Sequence, residues 1–447
     1  MSAGRSSSAA GGLSTAPNCR QVLQARASVK SWTWGEDAFE NAGAENVRPS
    51  IEGGINGHIY VDRRQRRLER RGGLDRRPPF SPANDTSAIA DIGAAGAYTV
   101  TIASTETFTV DALTVDDASA VLAIDGGLTV ASDLTSGAAP ATWTGAANLG
   151  GDALLEFASG QITSIAAGAQ LTLDNINAPS RVADASDMTS NSALTQLASN
   201  AGTFELLNGN GLADQATSTL TNSGSFSLGE NTTFSTLSGV GFTNSGGFGI
   251  DTGSGQGGST VTIGGALINS GGIQIGVGYA SLNTPAPLSA STTVTAASLI
   301  NAATGTIDLY GNWTEGTTNQ ATLEVNGSVT TSGTIILSGL SELAVSSGNV
   351  FAQTAGTTTV NTGGTLAAGT IDVAGGLLDF TSAIAAGSGT GNFDIGGAGI
   401  VEFGGAVDAG HSITFTSAAG VLDLGVPGQF APTIVAQLRA ATRGGWL

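Results

Sequence analysis

The motif Asp-Thr-Gly-Ser at Asp251 to Ser254 contains a residue type that could support acid–base hydrolysis. That chemistry needs two carboxylates that share one proton, so that one acts as base and the other as acid. A second motif would have to come from this chain or from a homodimer partner. The nearest internal candidate, Asn-Thr-Gly-Gly from Asn361, has asparagine in place of aspartate. The sequence therefore favours a glycine-rich turn at Asp251.

The stretch from Gly246 to Asp251, Gly-Gly-Phe-Gly-Ile-Asp, fits the first six positions of a calcium-binding nonapeptide repeat. In such repeats, turn carbonyls and aspartates of adjacent coils bind the ion together. Gly253 stands where the repeat requires a large apolar residue, and no tandem copy follows. We therefore expect neither a metal site nor a cofactor site.

Paired carboxylates at Asp116 and Asp117, with Gly410 and His411, faintly resemble elements of polygalacturonases, which are parallel β-helix enzymes. Inverting hydrolysis of a neutral glycan needs only two or three carboxylates. However, the family's Arg-x-Lys element is absent, and Arg181 is the only basic residue available to an anionic sugar between residues 83 and 438. We expect no catalytic residue, and a glycan-acting β-helix hydrolase or tailspike-like enzyme remains the alternative.

Other catalytic classes lack their residues. A P-loop needs Gly-Lys followed by Ser or Thr, and the only lysine, Lys30, is in another context. The only cysteine, Cys19, excludes a disulfide framework and a cysteine-based zinc site. We expect His411 to be a surface turn residue. The sparse aromatic residues Trp143, Tyr310 and Trp313 are expected to pack between coils.

Composition and charge divide the chain in two. Of 447 residues, 67 are glycine, 11% are charged and 5% are aromatic, which is too little bulk for large compact cores. Residues 1–82 hold 13 of the 16 basic and 8 of the 35 acidic residues, so this part carries +5 and the remainder 3 − 27 = −24. Binding of nucleic acid requires clustered basic residues, so the acidic body is not expected to bind it.

Residues 1–83 are predicted to be a disordered basic head, rich in Ser, Gly and Ala, with a cluster of arginines from Arg63 to Arg71. No aromatic residues interleave with these arginines, which favours a solvated charge run over a nucleic-acid or anionic-membrane site. The N-terminus does not have the form of a signal peptide. No stretch has 18 consecutive apolar residues, so we expect no transmembrane segment.

A five-residue unit recurs in the body: Gly, a small or polar residue, then two apolar residues on either side of a variable one. Copies begin at 202 (GTFEL), 224 (GSFSL), 246 (GGFGI), 271 (GGIQI), 305 (GTIDL), 333 (GTIIL), 369 (GTIDV) and 391 (GNFDI). The spacings are 22, 22, 25, 34, 28, 36 and 22 residues. Such a period without helical pattern predicts one coil of three short strands, with loop insertions in the longer copies.

Within each unit, the two apolar residues are expected to point inward and the variable residue outward. Glu205, Asp308, Asp372 and Asp394 occupy that variable position. Asn-Ser-Gly precedes or opens several units, at Asn222, Asn244 and Asn269, where we expect turns that need positive φ. Near the C-terminus, Ile434, Leu438 and Ala441 could share one face of a short helix.

The repeated units, together with the stretch from Gly389 to Phe430, resemble the bacterial secreted or surface β-strand repeat proteins, similar to autotransporter passengers and filamentous-haemagglutinin-like adhesins. The resemblance covers roughly residues 86–430. It implies an extracellular or cell-surface protein with a structural or adhesive role and a cell-surface or glycan ligand. The delivery apparatus of that family, a signal peptide and a C-terminal membrane barrel, is not visible.

The sequence as a whole predicts an all-β protein, an elongated parallel β-solenoid (β-helix) of short strands with Gly, Asn and Ser turns. The organisation expected is a disordered basic head over 1–83, a repetitive β-solenoid over 84–430, and a C-terminal cap or short helix over 431–447.

Overall fold

The structure is a computed structural model that describes residues 139–150, 153–157, 159–174, 179–277, 288–312 and 318–436, together with short strands before residue 131. The described part of the chain contains no α-helix. It contains two short 3-10 helices, Ser192–Leu194 and Pro427–Gln429. The prediction of an all-β parallel β-solenoid is confirmed.

The strands before residue 140 are β1 (His58–Tyr60), β2 (Arg66–Arg67), β3 (Ile89–Asp91), β4 (Tyr98–Ile102), β5 (Thr107–Val110), β6 (Ala112–Thr114), β7 (Ala120–Ile124) and β8 (Gly127–Val130). Two of them, β1 and β2, lie within the segment for which a disordered head is expected, and they pair with β3 and β4. The other residues of that segment lie outside the described part of the chain.

The next strands are β9 (Thr142–Trp143), β10 (Ala146–Gly150), β11 (Leu154–Phe157), β12 (Ser164–Ile165), β13 (Gln170–Asp174), β14 (Arg181–Asp184), β15 (Ser199–Asn200), β16 (Thr203–Leu207), β17 (Gly211–Ala213), β18 (Leu220–Asn222), β19 (Ser225–Gly229), β20 (Thr233–Ser235), β21 (Phe242–Asn244), β22 (Gly247–Ile250), β23 (Thr260–Asn269), β24 (Gly272–Gly276) and β25 (Thr292–Asn301).

The remaining strands are β26 (Thr306–Tyr310), β27 (Ala321–Val325), β28 (Val329–Thr331), β29 (Thr334–Ser338), β30 (Ser341–Val345), β31 (Val350–Gln353), β32 (Thr357–Val360), β33 (Gly364–Val373), β34 (Leu377–Phe380), β35 (Thr390–Ile395), β36 (Ile400–Phe403), β37 (Ser412–Phe415), β38 (Val421–Leu424) and β39 (Thr433–Ala436).

The strands stack in three faces. Face A is a 15-stranded parallel sheet that runs from β2 to β38. Within a coil the chain passes from face A to face B and then to face C, as in β16, β17 and β18, before β19 returns to face A. β23, β25 and β33 are ten-residue strands that run from face B to face C. The pairing of β23 with β25 shifts register between Ile263 and Ala266. From residue 139 onward the chain makes about 12 turns.

Register between coils follows the hydrophobic pattern. In β16 burial alternates along the strand, with Phe204 and Leu206 inside and Glu205 partly exposed between them. Phe204, Phe226 and Phe248 are aligned on consecutive coils, with ring centroids 5.0 and 5.3 Å apart. A slip of one residue would turn this whole column to solvent, so the pattern fixes the pairing.

Six of the repeated units, those from Gly202 to Gly333, open strands of face A, whereas the units at Gly369 and Gly391 fall in β33 and β35 of face C. The interval of 36 residues before Gly369 is therefore not a loop insertion, as the sequence suggests, but a change of face. Face A continues through β32, β34, β36 and β38 instead. Strands of all three faces have the same alternation, so the unit alone does not identify its face.

The prediction of a short helix near the C-terminus is wrong for residues 433–436. Thr433–Ala436 forms β39, which pairs in parallel with β37. Thr433, Ile434 and Val435 are β-branched, and β37 offers a strand edge to pair with, so packing in the coil outweighs the helical spacing. Residues 437–447 lie outside the described part of the chain.

Candidate functional site

Carboxylates occur on the outer surface of all three faces. Glu205 is on face A, Glu342 is on face B, and Asp394 is on face C. The outward position predicted for Glu205, Asp308, Asp372 and Asp394 is confirmed, because each is partly exposed between two buried neighbours.

Three carboxylates form one column on face A. Asp379, Glu402 and Asp423 are in register on consecutive strands β34, β36 and β38. Neighbouring strands of a sheet are about 4.8 Å apart, so these like charges are stacked at that spacing. Partial burial raises the pKa of Asp379, which favours its protonated form.

A second acidic pair lies on face C, where Asp372 and Asp394 are in register between β33 and β35. Burial raises the pKa of Asp372, and the charge of Asp394 raises it further. Among the residues that the structure describes, no group of three or more His, Cys, Asp or Glu side chains is placed to hold a metal ion.

Asp251 is fully buried and belongs to the interior of the solenoid. Its Oδ1 accepts hydrogen bonds from the Glu230 amide at 2.6 Å and the Ser259 hydroxyl at 2.8 Å. Its Oδ2 accepts from the Ser259 amide at 3.0 Å and the Thr292 hydroxyl at 2.5 Å. These four donors come from three consecutive coils: Glu230 from the preceding coil, Ser259 from the same coil and Thr292 from the next coil. The carboxylate of Asp251 therefore links the three coils.

This arrangement agrees with the turn predicted for Asp-Thr-Gly-Ser. Asp251 follows β22 and Asn361 follows β32, and these strands are separated by β24, β26 and β29 in face A. Four strand spacings amount to about 19 Å, so the two motifs do not meet in one chain. Asp251 has φ of 52° and holds the sharp turn at the end of β22.

His411 is not the surface residue that the sequence predicts. It is 5% exposed, and its Nδ1 lies 3.2 Å from the carbonyl oxygen of Gly391 on the preceding coil. Gly410 has φ of 111°, and this backbone conformation turns the chain so that His411 enters the coil at the start of β37. The imidazole thus packs between coils.

Aromatic packing follows the prediction where it is described. Trp143 is buried, and its indole N–H donates to the carbonyl oxygen of Gln170 at 3.0 Å. Tyr310 is half-buried, and burial together with the nearby charge of Asp308 raises its pKa. Trp313 and the paired Asp116 and Asp117 lie outside the described residues.

The polar feature that the sequence analysis missed is a buried ladder of asparagines at the end of face C. Each side-chain amide donates to the side-chain oxygen of the asparagine on the next coil, at 2.8 to 2.9 Å. The ladder comprises Asn200, Asn222, Asn244, Asn269 and Asn301. We call these five residues the asparagine ladder.

The asparagine ladder corrects the expectation of positive φ at Asn222, Asn244 and Asn269. In the part of the chain that the structure describes, the non-glycine residues with positive φ are Asn208, Glu230, Asn231 and Asp251. The ladder asparagines instead end strands of face C and are at most 1% exposed. The recurrence of Asn222, Asn244 and Asn269 before Ser-Gly is the available signal, since identical polar residues at an inward position indicate stacked amides.

The asparagine ladder ends at Thr331, whose hydroxyl accepts from Asn301 at 3.3 Å. On the next coil Gln353 takes the same position. Gln353 is fully buried, and its amide nitrogen and oxygen have no hydrogen-bond partner among the described residues. Hydrophobic residues, Val373 and Ile395, follow in that column. The solenoid therefore changes from a polar to an apolar corner at Gln353.

Asp214 is the other buried polar group that stands out. It is 1% exposed, and its Oδ1 accepts from the Ala216 amide at 3.0 Å. Its Oδ2 is buried without a hydrogen-bond partner in the described structure. Burial raises its pKa from 3.8 to about 6, and hydrogen bonds from the Ala216 and Leu197 amides oppose that shift. It lies in the turn after β17.

Within the described residues, no helix is long and apolar enough to cross a membrane. Comparison with known proteins gives no match: no family model, no curated protein and no solved structure shows significant similarity to the chain.

Proposed function

We propose that the solenoid is a structural or adhesive repeat segment of a bacterial secreted or cell-surface protein, and that it does not catalyse a reaction. The observation that carries this proposal is the register of the coils. Face A pairs strand by strand from β10 to β38, so each outward position recurs once per coil at the strand spacing of about 4.8 Å.

Repetition of this kind suits weak contacts made many times along a surface. A ligand such as a polysaccharide or a cell-surface polymer can bind several equivalent positions, and its second and later contacts become intramolecular. The body carries −24, so a neutral or cationic ligand fits it better than an anionic one. An extracellular location is part of this proposal and follows from the resemblance described above.

A second candidate, a glycan-acting hydrolase, is favoured by one observation. Asp379, Glu402 and Asp423 are stacked at about 4.8 Å, and retaining glycosidases separate their two carboxyl groups by about 5 to 5.5 Å. The raised pKa of Asp379 suits a general acid, and Glu402 beside it would be the nucleophile. In β-strands of one face, however, these side chains point the same way and do not flank a bond from opposite sides.

The test is a panel of neutral and acidic polysaccharides, scored for new reducing ends, for unsaturated products and for retention on immobilised glycan. The structural role predicts no turnover, with binding that is weak and spread along the rod. Turnover that Glu402→Gln abolishes and Glu342→Gln leaves intact would establish the hydrolase instead. Glu342 is a matched control because it is a partly exposed glutamate on face B.

A further inference from the structure

Two columns of unlike character lie side by side on the outer surface of face A. Both cross β34, β36 and β38, where every second side chain points outward. One outward position is apolar on all three strands, and Ile400 and Val421 are 37% and 47% exposed. The other outward position is acidic on all three strands. The apolar column is Leu377, Ile400 and Val421, and the acidic column is Asp379, Glu402 and Asp423. We call these six residues the two-column surface.

The apolar column begins abruptly at Leu377. On the preceding strands of face A, from β16 to β32, the same outward position holds only Thr, Ser or Gly. Such residues keep the solvent side of a sheet polar. Three large aliphatic side chains stacked in one column depart from that pattern, and an exposed apolar patch bordered by polar residues is typical of an interaction surface.

Within the described residues, the acidic column has no cation beside it. Between residues 139 and 436 the only Lys or Arg is Arg181. Arg181 lies in the coil of β13, which is eight strand spacings, or about 38 Å, from β34 in face A. Like charges at opposed positions of neighbouring strands destabilise a sheet. A cationic partner would offset the repulsion between these carboxylates, whereas an anionic partner would increase it.

The spacing of the columns indicates the shape of the partner. Strands about 4.8 Å apart place the first and third side chains of a column about 9.6 Å apart. Two turns of an α-helix advance about 10.8 Å and return side chains to the same side. An extended chain in the same direction presents alternate side chains about 6.6 Å apart, or about 13 Å over two steps. A helix along the solenoid axis therefore matches better, with an apolar stripe over one column and a basic stripe over the other.

We propose that the two-column surface binds a cationic amphipathic helical peptide that lies along the solenoid axis. Aliphatic side chains of the peptide pack on Leu377, Ile400 and Val421, and its Lys or Arg side chains lie over the carboxylates of the acidic column. This site is confined to three strands and does not use contacts repeated along the rod. It is therefore independent of the proposed adhesive role.

The experiment measures binding of a labelled peptide to the full chain by fluorescence anisotropy. The probe is a peptide of about 18 residues with a leucine stripe beside a lysine stripe, which is long enough to form a helix. We expect micromolar binding that weakens as salt is raised. Ile400→Thr and Glu402→Gln should each weaken it about fivefold. The matched controls are Ile336→Thr, at an outward position of β29 on face A, and Glu342→Gln on face B, and neither should change the affinity.

Two further peptides test the proposal without changing the protein. A scrambled peptide of the same composition, with its leucines and lysines distributed around the helix, should bind about fivefold more weakly or worse. A peptide with glutamate in place of lysine should not bind. Equal affinity for the ordered and scrambled peptides would overturn the two-column site, as would equal affinity of the Ile400→Thr and Ile336→Thr variants. A full chain that sediments as a dimer, which Ile400→Thr converts to a monomer, would also overturn it, because a second copy would then occupy the surface.

Discussion

The Nδ2 of Asn222 donates a hydrogen bond to the Oδ1 of Asn244 at 2.8 Å, from one coil to the next and wholly inside the protein. The same Nδ2 donates to the carbonyl oxygen of Gly247, and Asn244 repeats the arrangement toward Asn269 and Gly272. Each ladder asparagine therefore connects face C of its own coil to the next coil and to face A. Because unmade hydrogen bonds in the interior are costly, the asparagine ladder penalises any slip of register.

Replacing Asn244 by Ala should lower the free energy of unfolding by about 2 to 4 kcal/mol, because it removes the acceptor that the Asn222 amide has in addition to the Gly247 carbonyl and takes away the donor to the oxygen of Asn269. Thr243→Ala in the same strand is the control and should cost less than about 0.5 kcal/mol, since Thr243 faces outward. Urea unfolding followed by circular dichroism measures both. Equal losses for the two variants would contradict a stabilising ladder.

Gly246→Ala should destabilise the fold, because a Cβ at Gly246 would collide with the backbone of Gly224 and Ser223 on the preceding coil. Gly247→Ala is a control one residue away, where a Cβ meets nothing within 4 Å. We expect a loss of about 2 kcal/mol or more at Gly246 and a gain of up to about 1 kcal/mol at Gly247, where alanine restricts the unfolded chain. The midpoint of urea unfolding distinguishes the two. Similar midpoints would show that the coils are less closely stacked here.

Asp214 should make stability depend on pH. Its pKa is raised to about 6 in the folded protein from an ordinary 3.8, so folding favours the protonated acid. The contribution of protonated Asp214 to the stability of the folded protein is therefore fully present below pH 3.8, and it is lost as the pH rises through about 6. Asp214→Asn should match the parent protein near pH 4 and be more stable by about 2 kcal/mol at pH 8. Thermal unfolding at pH values from 4 to 8 measures the difference in stability between the variant and the parent protein. An equal difference at pH 4 and pH 8 would contradict the raised pKa of Asp214.

The sequence predicts the three-strand coil well because burial at alternate residues is a local pattern. Phe204 and Leu206 flank Glu205 in the sequence just as they flank it in β16. Pairing between coils then follows from matching such patterns, as between Phe204 and Phe226. These are properties of short segments that need no information about distant parts of the chain.

Features that depend on which strand lies beside which were not predicted. The unit at Gly369 looks like the one at Gly333, yet it lies on face C because the intervening strands β30 to β32 complete a coil. The acidic column of Asp379, Glu402 and Asp423 and the inward position of His411 depend on the same register. The sequence predicts turns at Asn222, Asn244 and Asn269 because Asn-Ser-Gly is typical both of turns and of stacked asparagines, and only the stacking of coils distinguishes the two.

Small-angle X-ray scattering of residues 84–447 tests most directly the claim that the chain acts as an extended rod. Residues 84–447 contain 14 of the 15 strands of face A, from β4 to β38, and 13 spacings of about 4.8 Å give a solenoid about 62 Å long. We predict a monomeric rod of about that length with a constant cross-section. A compact particle, with a maximum dimension close to that of a globular protein of the same mass, would contradict it.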